Sequence, residues 1–206
     1  MPRKRTLPDD IVLERAMTVF WRLGYAGTSM RDLTQATGLS AAALYNRFAD
    51  KDGLFVAVLR RYSEIALTPL LDRLAASRSP VAAIRGFFDA LIAASQADAD
   101  RLGCLLVNTI VDGAAMSDDA RAMLNSRFGE LEAFFATQLR RAIAEGAIDP
   151  GIDPAAKAAA LLGTAFGLRV LSRLRDDPPD QLRDLADNAL AFLAEPPPAL
   201  RLRAAR

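Results

Sequence analysis

Between Thr28 and Lys51 the chain gathers side chains whose chemistry suits duplex DNA. Hydroxyls on Ser29, Ser40 and Tyr45, and the ammonium of Lys51, are donors of the kind that meet phosphate oxygens. Arg31 and Arg47 carry guanidinium forks that fit guanine O6/N7, and Asn46 adds a carboxamide. Ala41, Ala42 and Ala43 stand among them and offer only methyl groups, for instance to a thymine methyl.

Catalytic chemistry is poorly supplied by comparison. The chain has no histidine, which removes the commonest general base and zinc ligand and excludes Ser-His-Asp and Cys-His arrangements. Cys104 is the single cysteine, so neither an intrachain disulfide nor a Cys₂ metal site can be built. No carboxylate pair stands out from the solvated faces of helices. No enzyme, cofactor or metal is therefore expected, although Asp112 or Asp118 acting as a general base stays open as a rival.

The DNA-directed groups need helices to hold them. Val12, Ala16, Val19, Phe20 and Leu23 recur at helical spacing and predict a first helix over 9–23, ended by Gly24. Ser29 and Asp32 have capping-box spacing at the start of a second helix reaching Thr37, which Gly38 breaks. Ser40 caps a third helix over 41–48 with Leu44 and Phe48 inward, and Asp50 caps a fourth from Lys51. Two short helices joined by a tight glycine turn, with a supporting helix on either side, form a helix-turn-helix.

Later segments also read as helices: 51–68 ahead of Pro69, 80–97, 103–113, 117–145, 154–175 and 180–193. The fold class expected is all-α, with about nine helices. An N-terminal DNA-binding domain over 1–50 joins, through helix 51–68, a ligand-binding and dimerisation bundle over 51–206. Hydrophobic residues at 51% and charged residues at 25% suit a folded chain. Residues 1–62 hold ten Lys/Arg against six Asp/Glu, while the remainder is net negative, which fits a basic reading head on a mildly acidic body. No apolar run approaching the ~18 residues of a membrane span, and no secretory leader, is recognised; the expectation is a cytoplasmic protein without a membrane partner.

Residues 24–54, GYAGTSMRDLTQATGLSAAALYNRFADKDGL, resemble the N-terminal region of the tetracycline-repressor (TetR) family of bacterial regulators. The matching elements are Gly24-Tyr25, Thr28-Ser29, Ala36-Thr37-Gly38-Leu39-Ser40, Leu44-Tyr45-Asn46-Arg47-Phe48 and Lys51; Ala42 departs from the glycine of many members. The resemblance covers about residues 9–62. It implies a homodimeric regulator, usually a repressor, that binds double-stranded operator DNA and is released by a small-molecule effector. Ser29, Tyr45 and Lys51 then read as phosphate contacts. Arg31, Asn46 and Arg47 read as base contacts, with Ser40 and the alanines facing the groove and Arg3, Lys4 and Arg5 as an arm.

For the effector, Phe88, Phe134, Phe135 and Phe166 are expected as apolar lining, with Asn108, Thr109 and Asp112 as polar anchors. Cys104 is either a small buried hydrophobe or, beside Arg101 at a helix start, an electrophile or oxidant sensor. The dimer interface is expected on Ala159, Gly163 and Gly167, at i, i+4 and i+8, and on Leu182, Leu185, Ala189 and Leu193. The rival class is an all-helical binding protein in which the helix-turn-helix is only structural.

Overall fold

In the computed structural model, which describes residues 7–113, 116–174 and 179–194, every regular element is helical. The expected Arg3-Lys4-Arg5 arm, the Asp177-Pro178 break and the tail from Pro196 lie outside the described residues. The chain folds as two compact units, the first reaching Leu67 and adding Cys104–Ser126, the second made of Thr68–Gly103 and the chain from Arg127.

The first unit is built on α1 (Asp9–Gly27), whose Val12, Ala16, Met17 and Phe20 form one buried stripe. Leu23, expected on that stripe, is 50% exposed, because the backbone leaves helical geometry next to it at Gly24. α2 (Met30–Thr37), α3 (Ala41–Phe48) and α4 (Lys51–Tyr62) follow. Leu33, Leu44, Leu54, Phe55, Val58 and Leu59 are buried with that stripe, and Phe55 meets Phe20 and Tyr25 at ring distances of 4.8 and 4.9 Å. Each such buried side chain contributes about 1.5–3 kcal/mol.

After α4 the helical run does not stop at Pro69. A π-turn (Ser63–Leu67) leads into α5 (Thr68–Ala75). The wider turn accommodates a proline that has no N–H to donate and whose ring crowds the preceding turn. Counting 51–75 as one run gives nine helices among the described residues; counting its two α-segments separately gives ten.

α7 (Leu105–Asp112) packs on α1 and α4 within this unit, and Leu105, Leu106 and Val107 are buried. In the second unit α6 (Pro80–Gln96) contacts α5, α9 (Pro154–Leu174) and α10 (Pro179–Ala189), and most of α8 (Asp118–Ala144) belongs here too. Phe87, Phe88 and Phe135 form an aromatic core with ring distances of 5.1–5.9 Å. Contrary to the expectation from the sequence, α9 is long and apolar enough to cross a membrane, with a mean hydropathy of 1.2 over 18 residues. Its length is reached through alanine and glycine, which break up the Leu/Ile/Val runs a reader looks for. The helix also carries Arg169, buried and donating from Nη1 to Ser95 Oγ at 2.7 Å, so one face packs into protein.

Candidate nucleic-acid interface

Local capping chemistry sets the geometry of α2 and α3. Ser29 Oγ accepts from the Asp32 N–H at 3.2 Å, and the Asp32 carboxylate accepts from the Ser29 N–H at 2.9 Å, closing the expected capping box. Hydrogen bonds from the Ser29 hydroxyl and then from its backbone N–H hold the Asp32 carboxyl below the usual carboxylate range. Gly38, with φ of 73°, makes the turn, a conformation open to glycine at no steric cost. Ser40 Oγ then accepts from the Ala43 N–H at 3.2 Å and starts α3.

α3 ends abruptly. The Asp50 N–H donates to the Phe48 carbonyl at 2.8 Å, and Ala49 sits at φ 67°, ψ −55°. This is a three-residue γ-turn of the strained, positive-φ kind. Asp50 Oδ1 caps α4 by accepting from the Gly53 N–H at 2.7 Å. A Cβ on Gly53 would overlap the Phe48 carbonyl oxygen, so only glycine lets α4 begin this close to the end of α3.

The result is a α3 face on which Ala42, Tyr45 and Asn46 are exposed and Ala41 and Ala43 are half-buried, with Ser40 exposed ahead of them. Arg31 is exposed on α2, and no hydrogen bond among the described residues holds its guanidinium. Arg47 and Lys51, by contrast, are half-buried.

Arg47 turns back from that face. Its Nη1 donates to the Leu7 carbonyl at 2.9 Å and to Asp9 Oδ1 at 3.0 Å, and its side chain is only 18% exposed. Lys51 also points inward. Its Nζ donates to the Tyr25 and Thr28 carbonyls at 2.9 Å each and lies 4.2 Å from the centroid of the Tyr25 ring. Without DNA, then, Arg47 ties α3 to the start of α1, and Lys51 ties α4 to the α1–α2 turn. Burial, then the Asp52 and Asp50 carboxylates, push the Tyr25 phenol above its usual range. The partners of both cations are separated from them by 23 to 40 residues, so no local spacing announces these bonds.

The residues expected at an effector site fall into different places. Phe88 and Phe135 stack on one another at 5.9 Å in the core of the second unit, and Phe166 packs edge-on against Phe128 at 4.6 Å. Asn108 and Thr109 are buried on α7 in the first unit, where Thr109 Oγ1 donates to the Leu105 carbonyl. Asp112 is exposed at the end of α7, close to Gly24. Cys104 is half-buried at the N-cap of α7. The loop before it is held by the Asp98 carboxylate, which accepts from the Leu102 and Gly103 N–H groups. The structure instead opens a cleft of about 360 Å³ between α5 and α8, lined in part by Asp72, Glu130, Phe134 and Gln138. In the structure the amphipathic α5 buries none of its residues, something the sequence does not announce.

On the expected dimer face, Ala159 and Gly163 are exposed, and a Cβ on Gly163 or Gly167 would meet nothing within 4 Å. Leu185 is exposed, and Leu182 and Ala189 are half-buried. Leu193 is corrected to the core of its own chain, buried with Ala186 and Leu190, because the chain leaves the α-helix after Ala189 for a 3₁₀ turn (Ala191–Leu193).

Comparison with known proteins matches residues 12–58 to "Bacterial regulatory proteins, tetR family" and residues 80–183 to "Tetracyclin repressor-like, C-terminal domain". The chain is 32% identical over 160 residues to the HTH-type transcriptional repressor ComR of Escherichia coli K12, covering 73% of this chain and 72% of that protein. It is 27% identical to the uncharacterized HTH-type transcriptional regulator YezE of Bacillus subtilis, over 94% of this chain and all of that one. Among solved structures it resembles the regulator CifR bound to a 26-bp operator duplex, with 30% identity, a TM-score of 0.78, and 92% and 98% of the two chains covered.

Proposed function

This chain belongs to the TetR family of transcriptional regulators, and we propose that it acts as a homodimeric, cytoplasmic repressor released from operator DNA by a small molecule. The observation that carries the reading is the free face of the helix-turn-helix. Ser40, Ala42, Tyr45 and Asn46 on or just before α3, and Arg31 on α2, are exposed on two capped helices of fixed geometry. Tyr45 and Ser29 meet phosphates; Arg31, Asn46 and the alanines meet base edges. Residues 1–50 serve as the reading head, joined through 51–68, and 51–206 serve sensing and dimerisation.

Two copies related by a two-fold axis read two half-sites, so the operator is near-palindromic. The uncovered Ala159-Gly163-Gly167 face of α9, flanked by Leu182, Leu185 and Ala189 on α10, supports the dimer. Release needs an effector that binds the two conformational states with different affinity; a 100-fold difference supplies about 2.7 kcal/mol.

The test is a gel-shift titration with DNA from upstream of the chain's own gene. Sequence-specific retardation that weakens steeply as salt rises is expected. No retardation at any salt would favour a helical binding protein whose helix-turn-helix is structural only.

A further inference from the structure

We propose that Arg47 is a positioning residue: it anchors the basic segment Arg3-Lys4-Arg5 beside the reading helix, where that segment supplies phosphate contacts. The inference rests on the DNA-reading function above. Charge leads to the segment first. Residues 1–62 hold ten Lys/Arg and six Asp/Glu, and three of the ten fall at positions 3–5, so residues 6–62 hold only seven against six. Of those seven, Arg47 and Arg61 are ion-paired with Asp9 and Glu14, and Lys51 donates to two carbonyls. α2 and α3 then expose one cation between them, Arg31. A protein that neutralises roughly six to ten phosphates needs more than one such arginine per head.

The anchor is built at the point from which the chain continues toward that segment. Arg47 Nη1 donates to the Leu7 carbonyl at 2.9 Å and to Asp9 Oδ1 at 3.0 Å, across 40 and 38 residues. Leu7 is half-buried, and Pro8 stands at the N-cap of α1 with φ −58° and ψ 147°. A residue before proline is itself held to extended geometry, so Leu7 is fixed on both sides. The chain therefore leaves the head from a set position at Arg47, one residue from the exposed Asn46. Arg5, Lys4 and Arg3 stand two to four positions ahead of Leu7, at most roughly 14 Å away along an extended chain. That reach is comparable with the ~12 Å width of the major groove, whose rims carry the phosphates. The Arg47–Asp9 pair adds little stability on its own, since Asp9 is 68% exposed. Withdrawing a cation from the reading helix lowers DNA affinity unless charge is returned elsewhere, and here one guanidinium fixes the position of three cations.

The experiment is a fluorescence-anisotropy titration of the full-length protein against a mixed-sequence duplex of about three helical turns, repeated over a range of salt. Wild type, Arg3→Gln/Lys4→Gln/Arg5→Gln, Arg47→Ala and the combination of the two close a double-mutant cycle. Neutralising the segment is expected to lower the slope of log affinity against log salt by about 2 to 3 per head. Arg47→Ala is expected to remove part of that slope, and nothing further once the segment is neutral. A direct phosphate contact by Arg47 would instead lower the slope by about one in both backgrounds. A merely structural role would weaken binding equally in both, and either result overturns the positioning role. An unchanged slope after the triple substitution overturns the part given to the segment. Asp9→Ala releases one of the two bonds at an exposed position and keeps α3 intact, so it runs through the same cycle even if Arg47→Ala fails to fold. The anchor predicts weaker binding for Asp9→Ala only while the segment is charged; tighter binding in both backgrounds, as expected from simple loss of a carboxylate, overturns it. Wild type that binds neither this duplex nor DNA from upstream of its own gene overturns the DNA-reading function, and the anchor with it.

Discussion

The Lys51 ammonium lies 4.2 Å from the centroid of the Tyr25 ring and donates to the Tyr25 carbonyl at 2.9 Å, with a second bond of equal length to the Thr28 carbonyl. These contacts fasten the first residue of α4 to the turn that launches α2. They make Lys51 a part of the scaffold that orients the reading helices. Charge-assisted hydrogen bonds of this kind are worth about 1.5–3 kcal/mol, and a residue used for scaffold has a different mutational signature from one used for phosphate.

Lys51→Met keeps the side-chain length and removes the charge. It is expected to cost about 2 kcal/mol of stability, a fall in Tm of about 4–8 °C for a chain of this size. A phosphate contact would leave Tm unchanged and lower the slope of log affinity against log salt by about one. Thermal melting and a salt titration of operator binding, run on the same variant, separate the two roles.

With Arg47 held by Asp9 and the Leu7 carbonyl, the exposed face of α3 presents no cation. Its base-directed chemistry is the Asn46 carboxamide, which suits adenine N6/N7, and the Ala42 methyl, which suits the methyl of thymine. The bound half-site is therefore expected to place A·T pairs under α3. Replacing thymine by deoxyuridine there removes only the methyl group. Loss of affinity confined to one or two positions per half-site, together with relaxed specificity at an A·T pair in Asn46→Ala of about 1–3 kcal/mol, is the expected pattern. Arg47→Ala leaves base preference intact, and a guanine preference that vanished in this variant would restore it as a reader.

The helix-turn-helix was legible in the sequence because its determinants are local. Ser29 and Asp32, Gly38, Ser40 and Asp50 each act within three or four residues, and apolar spacing reports which face is inward. What Arg47 and Lys51 do was not legible, since a cation on a short helix looks the same whether its partner is a phosphate or a carbonyl 23 residues away. The cleft was hidden for a related reason: Asp72 and Glu130 are 58 positions apart, and each alone reads as a solvated helix charge. Periodicity also misread the last stripe, giving Leu193 to an interface, because a helix pattern cannot reveal that the chain tightens to a 3₁₀ turn after Ala189.

Ala49 stores strain at the hinge between α3 and α4, where φ is 67° and the γ-turn closes on the Phe48 carbonyl. Glycine adopts this conformation without the Cβ penalty. Ala49→Gly is expected to raise stability by about 0.5–1 kcal/mol, because relief of strain outweighs the added freedom of the unfolded chain. Denaturant unfolding at constant m-value measures it. A loss of stability would mean that the turn relaxes out of this conformation in solution.

Gly163 offers the cleanest separation between folding and assembly. On α9 a Cβ there would meet nothing within 4 Å of its own chain, so a larger residue fits the isolated subunit without a clash. Glycine inside a helix costs about 1 kcal/mol relative to alanine, and most replacements recover much of that. Gly163→Glu is thus expected to leave the melting of the subunit unchanged or slightly raised. In a dimer built on Ala159, Gly163 and Gly167 the same carboxylate is forced against its symmetry mate in a closely packed, desolvated seam, where like charges cannot both stay ionised at low cost. Sedimentation equilibrium should then give twice the chain mass for wild type and the single-chain mass for the variant. Operator affinity should fall by orders of magnitude, because two half-sites no longer bind as one event. A variant that remains dimeric and binds DNA as before would move the interface off this face of α9.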